Sequence, residues 1–150
     1  MESNDNSNQS ILKETQLSIT ENAKQFLSEA GKWGKFISIV GFIAVGLLVV
    51  FGVFAGTLFS QLPGYEDIPG ALFSIIYIVL AALYFFPILY LYRFSTKVRE
   101  ALNANDEGVL EYALENLKSH YKFIGILMIV MLALYALIFV FALIFGVLAA

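Results

Sequence analysis

Few side chains in this chain could do chemistry. His120 is its only histidine, and beside Lys118 and Lys122 it cannot make a metal site alone. It reads as an interfacial residue or as a pH sensor. The run from Asn103 has the outline of a calcium loop, with Asn103, Asn105, Glu107 and Gly108 at early positions. Its twelfth position is Leu114, where a bidentate Glu is needed, so the run reads as a break between helices. There is no cysteine, which removes disulfides, thiolate metal sites and cysteine nucleophiles. No H-E-x-x-H, G-x-S-x-G or G-x-x-x-x-G-K-[ST] is present. The expectation is a protein with no catalytic residues, no cofactor and no metal.

Two constellations remain. The first is Pro87 with Tyr77 and Tyr84. Pro87 lacks an amide hydrogen, so the Leu83 carbonyl loses its helical partner and a kink is expected. Tyr77 and Tyr84 share a face with Phe73 and Ile88, and each hydroxyl wants a partner. They read as an aromatic packing face or as a polar track along a small pathway. The second constellation is basic: Lys32, Lys35, Arg93, Lys97, Arg99, Lys118 and Lys122. These charges set membrane topology or bind anionic lipid headgroups, at about 1 kcal/mol per charge near the surface.

Long apolar runs must position these groups. Of 150 residues, 59% are hydrophobic and only 14% charged, and the apolar excess lies in three uncharged blocks, Phe36–Tyr65, Ile68–Tyr92 and Phe123–Ala150. Each exceeds the roughly 18–20 residues that span a bilayer. Backbone in hydrocarbon must satisfy its own hydrogen bonds, so helices are expected rather than open sheet. The fold class predicted is an all-α membrane protein with three transmembrane helices and two amphipathic cytoplasmic or interfacial helices. A net charge of −3 does not suit nucleic-acid binding.

Residues 1–17 read as a disordered cytoplasmic tail, without the basic start and apolar core of a cleaved signal peptide. Ser18-Ile-Thr-Glu21 reads as a capping box opening an amphipathic helix over 18–35. That helix carries Ile19, Ala23, Phe26, Leu27 and Ala30 on one face and ends in Lys32-Trp33-Gly34-Lys35, which suits the headgroup layer. It rests on lipid or on another loop. The first span is 36–59. Its Gly52-x-x-x-Gly56 lets a second helix approach closely, within this chain or in a homodimer. A turn-rich loop at 60–69 follows, with two Pro-Gly pairs. The second span is 70–92, and its helix continues through Arg93–Ala101 into water. Residues 93–122 form a cytoplasmic helical hairpin broken near Asn103–Gly108, and the third span is 123–150. Ala142-x-x-x-Gly146-x-x-x-Ala150 offers another small-residue seam.

All nine Lys and Arg lie before the first span or between the second and third. Positive residues stay cytoplasmic on short loops, so the N-terminus is expected inside and the C-terminus outside. No ionisable Asp, Glu, Lys, Arg or His falls inside a span, which argues against ion- or proton-coupled transport.

Lys32–Gly56, Ala71–Leu102 with LYFFPILYLYRFSTKVREAL, and Leu110–Ile126 with ENLKSHYKFIGIL together resemble a family of small bacterial membrane proteins, mainly from Bacteroidota, catalogued as a domain of unknown function. The resemblance implies a bacterial inner membrane. It carries no activity and no site residues. The function expected is an accessory or scaffold subunit working through helix–helix contact with a membrane-protein partner or with itself. The alternative is a small oligomeric channel or a lipid or solute carrier built on the second span. Membrane lipids are the one partner common to both.

Overall fold

The computed structural model describes residues 19–65 and 67–148, with side chains through 145. These residues form three long helices: α1 (Glu21–Phe59), α2 (Gly70–Ala104) and α3 (Glu107–Leu148). All three are long and apolar enough to cross a membrane. The tail at 1–17 and Ser18 lie outside the described residues.

The amphipathic segments are not separate helices. Residues 21–35 are the opening turns of α1, and the two arms of the expected hairpin are the end of α2 and the start of α3. Packing explains the continuity. Gly31, Gly34, Ser38, Gly41, Val45, Leu48, Gly52 and Ala55 repeat at three and four residues and are buried or half-buried. One unbroken stripe therefore runs from the charged segment into the apolar one. A bend at Lys35 would pull Gly31 off Val98 and Gly34 off Ser95, which they meet on α2.

The helix start also differs from the capping box expected at Ser18. Thr20 is the N-cap, with its hydroxyl accepting a hydrogen bond from the Ala23 amide at 3.2 Å. Glu21 thus begins the helix, where its charge favours the positive end of the dipole, and its carboxylate accepts from Lys24 Nζ at 2.9 Å instead of reaching back.

The 60–69 connection turns at Pro63-Gly64, where Gly64 takes φ +88°, a conformation that glycine adopts without a Cβ clash. Aromatic rings close this end of the helix pair: Phe59 stacks on Phe73 at 4.6 Å and Phe51 meets Tyr77 edge-on at 5.0 Å. At the other end, the break between α2 and α3 is two residues long. Asn105 sits in the left-handed region at φ 53°, and Asp106 Oδ1 accepts from the Val109 amide at 3.1 Å to cap α3. So short a turn forces α2 and α3 to run antiparallel.

α2 is the central helix. It packs on α1 along its length and on α3 near the turn, while the α1 and α3 backbones stay apart among the described residues. The α1–α2 seam repeats every 3.5 residues on both sides, the period of a left-handed coiled pair. Small residues let the backbones come close, which is how helices gain dispersion energy where lipid removes any hydrophobic preference. Ser74 Oγ ties the pair by accepting from the Gly56 amide at 3.1 Å. The buried Ser38 and Ser95 hydroxyls donate to their own helices, to the carbonyls of Gly34 at 2.8 Å and Leu91 at 2.6 Å.

A small apolar core holds the other end. Phe94, Val98 and Ala113 are buried together, with Leu27 from α1, Leu91 and Leu102 from α2, and Leu110 and Leu117 from α3 packed around them. It lies among the charged segments, where water is available to drive burial.

Candidate functional site

The third helix divides into two unlike halves. Leu110, Ala113, Leu117 and His120 recur at three and four residues and face α2. Beyond Leu127 that contact stops: every residue from Met128 to Phe145 is exposed. Leu132 is 66% exposed and Leu134, on the opposite side of the helix, 49%, so neither side is covered by the rest of the described chain. A bare apolar rod of this length is unstable in water and marks a surface meant for lipid or for another apolar helix.

The junction between the halves is fixed by one hydrogen bond. His120 Nδ1 lies 2.8 Å from the carbonyl oxygen of Pro87 on α2. A carbonyl can only accept, so Nδ1 carries the proton and Nε2 is left for other partners. Pro87 sits inside α2 and is almost fully buried. Phe86 and Phe123 extend the junction, with ring centroids 6.5 Å apart.

The other positions singled out in the sequence are distributed as follows. Gly52 and Gly56 face α2: a Cβ at Gly52 would meet the Tyr77 Cβ at 3.1 Å, and one at Gly56 would meet the Gly70 carbonyl at 2.8 Å. Ala142 is exposed on the bare half of α3. Gly146 lies in α3, and Ala150 lies outside the described residues. Tyr77 joins the ring cluster with Phe51 and Phe59, whereas Tyr84 is 45% exposed on the helix surface. An apolar groove of about 680 Å³ lies on the outer face of α1, lined by residues that include Leu47, Phe51 and Phe54, and takes nothing from α2.

Among the charges, Lys97 Nζ donates to Glu100 at 2.7 Å across an exposed pair. Such a surface pair contributes about 0–1 kcal/mol. Lys32 and Trp33 border a shallow groove with Gln25, Ser28 and Glu29 on the charged part of α1. Lys32, Lys35, Arg93, Arg99, Lys118 and Lys122 have no carboxylate within 4.0 Å among the described residues. No group of three potential metal ligands occurs among those residues either.

Two features escaped the sequence reading. The first is the upper half of the α1 stripe, Gly31, Gly34 and Ser38, together with its outer counterpart Gly70. The spacing of 3.5 residues carried through Lys32–Lys35 could have revealed the former. The second is the His120–Pro87 bond, for which no local signal exists.

The chain matches the family of unknown function DUF5362 over residues 65–143. That segment runs from the 60–69 connection through α2 and into the bare half of α3. No curated protein matches the chain, and no solved structure does.

Proposed function

Since the chain belongs to the DUF5362 family, whose function is unknown, we propose a role from the geometry alone: a non-enzymatic integral membrane protein of a bacterial inner membrane, acting as an accessory or scaffold subunit. The supporting observation is the uncovered half of α3. Two helices of this chain satisfy each other along a seam of small residues. The third offers its apolar length to something outside the chain, while its base is held by the Phe94 core and by His120. That arrangement suits a helix presented for docking in the bilayer.

Single-cysteine scanning tests this, because the chain has no native cysteine to interfere. Cysteines placed one at a time over 128–145 should cross-link in native membranes, to another protein or to a second copy. The yield should peak every three to four positions, the repeat of one helix face. A scan with no adduct at any position would remove the docking role.

Orientation belongs to the same reading. The N-terminus and the α2–α3 turn face the cytoplasm, and the 60–69 connection and the C-terminus face outward. With Asp67→Cys, a membrane-impermeant maleimide should label intact spheroplasts as fully as lysed ones. Labelling that appears only after lysis would reverse the topology.

A further inference from the structure

The contacts between helices fix how deep each charge sits relative to its neighbours. On the α1–α2 seam Gly34 meets Ser95 and Gly41 meets Ile88, which sets Lys35 level with Arg93 and Phe94. The apolar blocks of α1 and α2 therefore start at the same height. α3 is different. His120 meets Pro87, and Phe123, the first residue of its apolar block, meets Phe86. From Phe86 up to Arg93 is seven positions, or about 10 Å at about 1.5 Å per residue. Lys122 consequently stands beside the level of Phe85, Phe86 and Pro87 on α2, and Lys118 beside that of Leu89, Tyr90 and Leu91, both below Arg93.

These two lysines also point outward. The face of α3 on α2 is Leu110, Ala113, Leu117 and His120, and both Lys118 and Lys122 fall on the other half of the helix and are exposed. The α1 backbone does not approach α3, and its Leu27 joins the core on the opposite face of that helix, so the lysine side is left open among the described residues. Glu111 and Glu115 share their face but stand one to three turns nearer the aqueous end, and neither comes within 4.0 Å of a lysine. Tyr121 and His120, the remaining neighbours, add no carboxylate, and the imidazole faces α2. Below the lysines the same face continues as Ile126 and Ile129, both exposed.

A pair of ammonium groups one turn apart, set below the neighbouring charges and above an apolar strip, matches an amphiphile with an anionic head. The geometry points to a binding site at Lys118 and Lys122 for the phosphate of an anionic phospholipid in the cytoplasmic leaflet. Its acyl chains run down the strip at Ile126 and Ile129. The lysine stems extend upward and the headgroup is drawn downward until they meet. The inference rests on the membrane-spanning reading and singles out two of the seven juxtamembrane cations.

Native mass spectrometry of the full chain, titrated in micelles with phosphatidylglycerol and separately with phosphatidylcholine, reads the first bound lipid. The intact protein should retain phosphatidylglycerol preferentially. K118Q/K122Q should lower its bound-to-free ratio by about five-fold per lysine removed, from the usual effect of one charge at a membrane surface. K32Q/K35Q should leave the ratio within two-fold, and K118R/K122R should keep most of the preference. Excess inorganic phosphate should not displace the lipid. Equal losses in the two glutamine doubles would mean diffuse surface charge and overturn the site, as would displacement by free phosphate or the absence of any preference. Alkaline carbonate extraction separates the premises. A chain released from membranes loses the spanning reading and the site together, whereas a chain that stays while K118Q/K122Q binds normally loses the site alone.

Discussion

Phe94→Ala should detach the third helix from the other two. Phe94 is only 3% exposed and packs with Val98 and Ala113 inside a collar of leucines. Truncating a buried phenylalanine costs about 3–5 kcal/mol, because the lost burial is joined by a cavity that neighbours cannot fill. The cost should fall unevenly. α3 is held by this core, to which α1 adds only Leu27, and by the His120–Pro87 bond, whereas α1 and α2 also hold each other along the glycine seam. In hydrogen exchange on detergent-solubilised protein, amides in 107–122 should therefore lose about two to four decades of protection. Those in 36–59 should change little. Equal loss over both segments would show that the three helices unfold as one unit and that the core is not a local clasp.

Gly56→Leu should be the most damaging change at the opposite end. A Cβ on residue 56 would stand 2.8 Å from the Gly70 carbonyl and 2.9 Å from Ser74 Oγ, and the first of these is backbone that cannot rotate aside. Gly70 answers it, since a Cβ there would strike the backbone of Gly56. The helices would have to separate, losing the Gly56 amide bond to Ser74 and loosening the Phe59–Phe73 stack. Overpacking alone costs about 1–3 kcal/mol, and the lost tie brings the expected total to about 3 kcal/mol or more. Gly46→Leu is the matched control, because nothing lies within 4 Å of a Cβ built at that glycine. It makes the same substitution on the same helix and should be neutral, or stabilising by up to about 1 kcal/mol from helix propensity. The difference between their thermal midpoints in one mild detergent isolates the seam. Matching midpoints would mean that the close approach at Gly56 contributes nothing.

Three apolar segments long enough to cross a membrane are legible in the sequence alone. Uncharged runs longer than a bilayer have one economical solution for their backbone, and Phe59, Gly70 and the break near Asn105 fall where composition and turn residues place them. The charged flanks before the first and third apolar runs read as independent helices, yet each is continuous with its span, whereas the continuation of the second helix past Tyr92 is legible. Their amphipathic pattern is real, yet a pattern of faces does not say whether a helix stops. Between Glu21 and Phe59 there is no proline to stop it, and the small-residue stripe keeps both parts against the same neighbour. The lone histidine could not be paired from sequence, because its partner is a main-chain carbonyl 33 residues away that every sequence would possess.

Composition alone thus determined that this chain has three segments fit for lipid, because the need to satisfy backbone hydrogen bonds is local and independent of neighbours. Which helix stands alone was decided only by tertiary structure. α1 and α3 are comparably apolar, but α1 carries Gly31, Gly34, Gly41, Gly52 and Gly56 toward α2, whereas in α3 Ala133 and Ala136 share one side and Ala142 lies away from both, so they form no continuous stripe. Close packing in an apolar solvent depends on shape matched between two surfaces, and that is a property of the pair, which no single segment contains.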